Sequence, residues 1–306
     1  MFIKTAPAAV PMGAPPLGEQ ELRTDGSWRT RTKAEILRSI AGMTPETVLE
    51  LSRAQSDQLP DDWPPELNDA VKPIFTGEFQ KSAELLAGLN LKYPNNYYVC
   101  ANLGVASELT GKDAEALQWV EKAMQIKPDA HNGTEWMHAA VLRAKLAMAK
   151  APAWLETHTI SGIPLGEVPE DFSLQEGGRR IDLNEIQAAL FAHAVPRLLL
   201  VKGPDRIVAA MLTELARVEA RTVSVEAGIA MLKLAAKYGA KNTEPLLKDW
   251  EARVAYRKLW GWLTLGGGHD AVQISFLSFF ALLGLRYCIR RWMRTKRVTP
   301  KSADGQ

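Results

Sequence analysis

The chain has 306 residues, 46% hydrophobic and 24% charged, which is ordinary globular usage and argues against wholesale disorder. Its two cysteines, Cys100 and Cys288, lie far apart with no CxxC pair, which argues against a disulfide framework and a thiolate zinc site. The net charge of +2 conceals seven Lys/Arg against one acid from Arg286 onward; residues 1–285 keep 30 basic and 34 acidic residues, so a basic nucleic-acid-binding body is not indicated.

In chain order, residues 1–30 are rich in Pro and Gly, lack periodicity, and are expected to form a mobile tail. Prolines interrupt "TAPAAVPMGAP" before it reaches the length of an export-signal core. Short helices are expected near Thr32–Ala41 and Pro45–Gln55, the second with Thr44 as N-cap and Pro45 at its first position. "LPDDWPPEL" then breaks the chain.

From Glu66 to Lys127 the pattern alternates helix and turn, with four helices. Gly77 and Gly111, Ser82 and Ala116, Leu86 and Val120, and Pro94 and Pro128 each stand 34 residues apart. A shared offset across small, apolar and proline positions marks an internal repeat. Leu103, Gly104, Gly111, Ala116, Val120, Ala123 and Pro128 resemble the tetratricopeptide (TPR) pattern in the copy 97–130. The small residues sit where two helices cross, Leu103 and Val120 fill between them, and Pro128 ends the second helix. Cys100 and Ser107 depart from the pattern, where aromatics are usual. The copy 63–96 is weaker, with Pro73 in its first helix, and a degenerate copy is placed at 209–242 on Leu212, Leu215, Ala216, Gly228, Leu232 and Ala235. The resemblance implies an all-α, TPR-like solenoid of helical hairpins over 31–262. In such a stack Tyr98, Ala101, Asn102 and Val105 would face a groove holding a protein or peptide partner. The carboxylate clamp of one TPR subset is not supported, because only Asn102 matches it and its other positions hold Leu67 and Val71.

Between the copies, 133–150 reads as a helix capped by Thr134, and 151–180 as a long irregular loop. Residues 183–195 and 204–219 resume helical spacing, with "PRLLLVKGPD" as a break. The stretch from Glu244 reads as a capping helix. Residues 263–270, "LTLGGGHD", read as a Gly-rich hinge rather than a phosphate cradle, since no Lys-Ser/Thr follows.

Residues 271–289 contain one charge, Arg286, and span about 28 Å as a helix, against a hydrocarbon core of about 30 Å. A single transmembrane helix is expected there, followed by a basic tail, 290–306, whose Arg290, Arg291 and Arg294 suit anionic headgroups. As a whole the chain resembles bacterial TPR proteins with a C-terminal membrane segment. The expected function is a membrane-anchored scaffold or adaptor, in the bacterial inner membrane with its tail cytoplasmic, without catalysis, cofactor or nucleic-acid partner. Two alternatives stand beside it. One is an enzyme or metal-binding protein using His131, Glu135 and His138 with the 151–180 loop, where His158 could add a ligand. The other is a structural cell-envelope protein without a discrete ligand.

Overall fold

The computed structural model describes residues 20–22, 28–44, 47, 61–167, 175–176, 179–180 and 182–265. Over these the chain is all-α. The helices are α1 (Lys33–Ala41), α2 (Leu67–Phe75), α3 (Phe79–Lys92), α4 (Tyr97–Leu109), α5 (Asp113–Ile126) and α6 (Trp136–Lys150), then α7 (Leu183–Leu200), α8 (Arg206–Thr222), α9 (Val225–Lys237) and α10 (Thr243–Leu265). Two short antiparallel ribbons accompany them, Gln20–Leu22 with Trp28–Thr30 and Gln175–Glu176 with Arg179–Arg180. The first ribbon falls within the stretch 1–30 expected to form a mobile tail, most of which lies outside the described residues.

Local chemistry sets the first helix. Thr32 Oγ1 accepts from Glu35 N, and Glu35 returns the bond to Thr32 N, so two helix-end donors are satisfied reciprocally. Arg29 holds the same carboxylate at 2.9 Å. Thr47 N donates to Thr44 Oγ1, as the expected N-cap requires, but most of that helix lies outside the described residues.

Residues 61–126 repeat in backbone detail. α3 and α5 are both 14 residues long and start 34 positions apart. Gly77 and Gly111 both have φ of +80, a left-handed conformation where a β-carbon is strained. The next residues match as well: Glu78 N donates to Pro73 O at 2.8 Å, and Lys112 N donates to Ser107 O at 2.9 Å. These bonds satisfy carbonyls left over at the ends of α2 and α4. Each helix of this run packs on its chain neighbour, and α5 packs in turn on α6. Ala116 and Val120 serve both sides of α5: they meet Gly104 of α4 and join Ala139 and Leu142 of α6 in a buried cluster.

The register fails after α5. His131, Asn132 and Gly133 have φ of 54, 56 and 73, a left-handed turn at the place where a third copy would begin its first helix. α6 therefore starts only at Trp136, and the stretch after it is a loop rather than a partner helix. That loop is partly organised. Ile160, Ile163 and Leu165 are buried, and Glu214 of α8 accepts from Ile160 N and Ser161 N. Arg217 and Arg221 donate to the carbonyls of Leu165 and Gly166.

α7 runs through Pro196 to Leu200, correcting the expected break after 195; Leu198 and Leu199, both buried, carry its last turn. α8 and α9 form a tight hairpin with Ser224 as N-cap, and the six positions of the expected degenerate copy are all buried in it. α1 packs on α7 and α9. The chain divides into two compact units, 1–248 and 249–306. Of the second, the described part is the remainder of α10, which runs into the expected hinge as far as Leu265. The rest of the hinge, the expected membrane span 271–289 and the tail lie outside the described residues. Among the described residues no helix is long and apolar enough to cross a membrane.

Candidate functional site

The four positions expected to face a groove are not open. Tyr98, Ala101, Asn102 and Val105 are all buried, because α4 is covered on every face: eleven of its thirteen residues are inaccessible. A helix apolar all round is an interior helix, and the run YYVCANLGVA has that character. Tyr98 packs at a tilt against Trp63, with ring centroids 4.8 Å apart, and Lys127 Nζ stands over its face. Asn102 is buried and donates to Tyr98 O at 2.8 Å. Val105 lines a cavity of about 210 Å³.

That cavity adjoins a dense buried polar cluster. Val105, Glu108 and Leu109 of α4 face Pro196, Arg197 and Leu200 of α7, with His138 and Lys145 of α6 and Ile207 and Val208 of α8 closing the walls. Glu108 is the centre. Its carboxylate accepts from Arg197 Nη2 at 3.1 Å and from His138 Nε2 at 2.9 Å, and Lys145 Nζ stands 3.5 Å away. Burial pushes its pKa up, but the charge of Arg197 and the hydrogen bond from His138 outweigh it and hold the group well below the usual carboxylate range.

A second carboxylate, Glu135, lies 3.7 Å from His138 Nδ1 and 4.0 Å from His131 Nε2. Tyr97 OH donates to its Oε2 at 3.3 Å. Burial raises its pKa; the adjacent His138 ring and the other neighbouring imidazoles prevail and bring it to about 2. The His193 ring lies tilted beside those of His138 and His131, with centroids 6.0 and 6.2 Å away. Burial pushes the His131 pKa down to about 3 and that of His193 well below the ordinary imidazole value, so both rings are neutral at pH 7. Glu135 Oε1 and His193 Nε2 are buried without a hydrogen-bond partner.

The structure thus brings together His131, Glu135 and His138, the trio singled out by spacing, but not His158. That ring is exposed and stacks flat on Trp154 at 4.6 Å. Among the described residues no group of three His, Cys, Asp or Glu side chains is disposed to hold a metal ion. Glu108, His193 and Arg197 were missed by sequence reasoning. The signal was a histidine and an arginine four residues apart inside the apolar run "AHAVPRLLL", where buried charge demands a partner. No protein-family model, curated protein or solved structure matches the chain.

Proposed function

We propose that this chain is a membrane-anchored, TPR-like scaffold that binds a protein or peptide partner and carries no catalysis of its own. What supports the reading is the 34-residue repetition, which extends from residue types to the paired left-handed glycines and the paired capping bonds behind them. Stacked hairpins of this kind make extended binding surfaces from rigid elements. Since Tyr98, Ala101, Asn102 and Val105 are covered by the chain itself, the partner meets another face of the stack. Residues 271–289 are the proposed single-pass anchor in a bacterial inner membrane, with Arg290, Arg291 and Arg294 at anionic headgroups on the cytoplasmic side.

The test is affinity capture of the tagged, detergent-extracted full-length chain. A partner retained at constant stoichiometry, and lost when the repeat is disrupted by Gly104→Leu, supports the scaffold. A chain that elutes alone under gentle extraction sinks it and favours a structural cell-envelope protein without a discrete ligand.

The buried cluster favours one second reading, an enzyme or metal-binding protein centred on 131–138. Its support is the left-handed turn at His131 and Asn132, since strained backbone concentrates at functional sites. Elemental analysis of the purified chain decides the metal-binding form: a stoichiometric metal lost with His138→Ala would replace the scaffold reading.

A further inference from the structure

Helix α10 changes character along its length. Thr243, Leu246 and Trp250 are buried, whereas no residue from Glu251 to Trp260 is. After Glu251 the helix carries Arg253, Arg257 and Lys258 and not one acid. Tyr256, Leu259 and Trp260 are 60%, 55% and 50% exposed. Among the described residues seven large apolar side chains stand exposed, and these three fall within five positions of one helix, so they form a patch rather than a scatter. At about 100° per residue Ala252, Tyr256, Leu259 and Trp260 share one face, flanked by Arg253 and Arg257. The Tyr256 and Trp260 rings meet edge to face at 6.2 Å.

We infer that the C-terminal half of α10, from Ala252 to Trp260, lies along an anionic lipid surface. Tyr256, Leu259 and Trp260 enter the boundary between headgroups and acyl chains, and Arg253 and Arg257, along one edge of that face, stand at the phosphates. An apolar face bordered by arginines, with aromatic side chains at its centre, is the chemistry of an interfacial helix. The inference rests on the anchoring of 271–289 proposed above. Ten residues separate Trp260 from Ala271, a reach of at most about 36 Å even fully extended, so this face stays close to the bilayer. A second copy of the chain is the rival occupant, because positions 252, 256 and 259 have coiled-coil spacing. That seam covers less than two heptads, and within α10 no acid follows Glu251 to pair with the bases across it.

The experiment uses the full-length chain with Cys288→Ser and Leu259→Cys, labelled at 259 with an environment-sensitive NBD fluorophore, Cys100 being buried. It is reconstituted into phosphatidylcholine vesicles with and without phosphatidylglycerol. The expected result is blue-shifted emission, several-fold brighter in the anionic vesicles and quenched by lipids bearing a nitroxide near the headgroup. Arg253→Glu with Arg257→Glu should abolish most of that difference. Resistance to alkaline carbonate reads the anchor separately. A resistant chain with water-like emission at 259 overturns the inference and leaves the anchor standing. An extractable chain that still shows the anionic shift supports the surface contact and removes the anchor. A blue shift without lipid that grows with protein concentration assigns the face to a second copy and overturns the inference.

Discussion

A β-carbon built on Gly104 would come within 2.7 Å of Val120 Cγ2, closer than carbon atoms pack, while backbone lies at 3.4 Å behind it. The obstacle is one methyl group, and this makes the crossing testable atom by atom. Gly104→Leu should cost about 1–3 kcal/mol by overpacking. Gly104→Ala should cost less in a Val120→Ala background than in the parent, because the methyl it strikes is gone. A double-mutant cycle by urea denaturation measures that coupling, and additive effects would show that α4 and α5 do not cross at this glycine. Ala101→Leu is no neutral comparison, since Ala101 is wholly buried. At the same scale, burial of His131 and His193 links stability to acid. Their folded pKa values lie below the unfolded value of 6.5, so the unfolded chain binds more protons and stability falls as pH drops below 6.5. For His131 the loss continues to about pH 3, at about 1.4 kcal/mol per pH unit for each neutral-buried histidine. Glu135, held down at about 2, adds a loss of the same sign from about 4.5 downward. His193→Gln should therefore flatten the slope of unfolding free energy between pH 6.5 and 4.5 by about one histidine's worth, whatever its effect at pH 7.

At the scale of elements, two kinds of information separate. The 34-residue offset was legible because it is local: glycine at a left-handed turn, small residues at a crossing and proline after a helix each obey a rule readable within one repeat. The burial of α4 was not legible, because what covers it comes from elsewhere in the chain. Trp63 lies 35 positions before Tyr98, and Arg197 lies 89 positions after Glu108. The turn at His131–Gly133 was signalled only in part: Asn132-Gly133 is a turn pair, but nothing local extends the left-handed backbone to His131. The loop after α6 yields a prediction of its own. Glu214 supplies the acceptor for two backbone amides, so Glu214→Ala leaves Ile160 N and Ser161 N without their partner at a cost of about 1–3 kcal/mol. Limited proteolysis should then cut between Thr159 and Gly166 several-fold faster, with Glu214→Gln intermediate because it keeps an acceptor oxygen. Equal cutting in all three would mean that Ile160, Ile163 and Leu165 hold the loop without the clamp.

For the whole molecule, the proposed anchor raises the question of which side of the bilayer the helical body occupies. Six basic residues follow the span, whereas Arg253, Arg257 and Lys258 precede it within twenty residues, and positive charge is retained on the cytoplasmic side. The excess after the span therefore favours a cytoplasmic tail and a body on the far side. The interfacial role inferred for Arg253 and Arg257 fits this count, because those two side chains stop at the surface and need not cross. A cysteine placed on the body decides the matter. Gln125 is exposed near the end of α5, and the native Cys100 is buried, so Gln125→Cys is the reporter and the unmodified chain is its blank. A membrane-impermeant maleimide should label Gln125→Cys in intact cells as fully as after lysis. Labelling confined to lysed cells would put the body in the cytoplasm. The tail would then have crossed the membrane against its own charge.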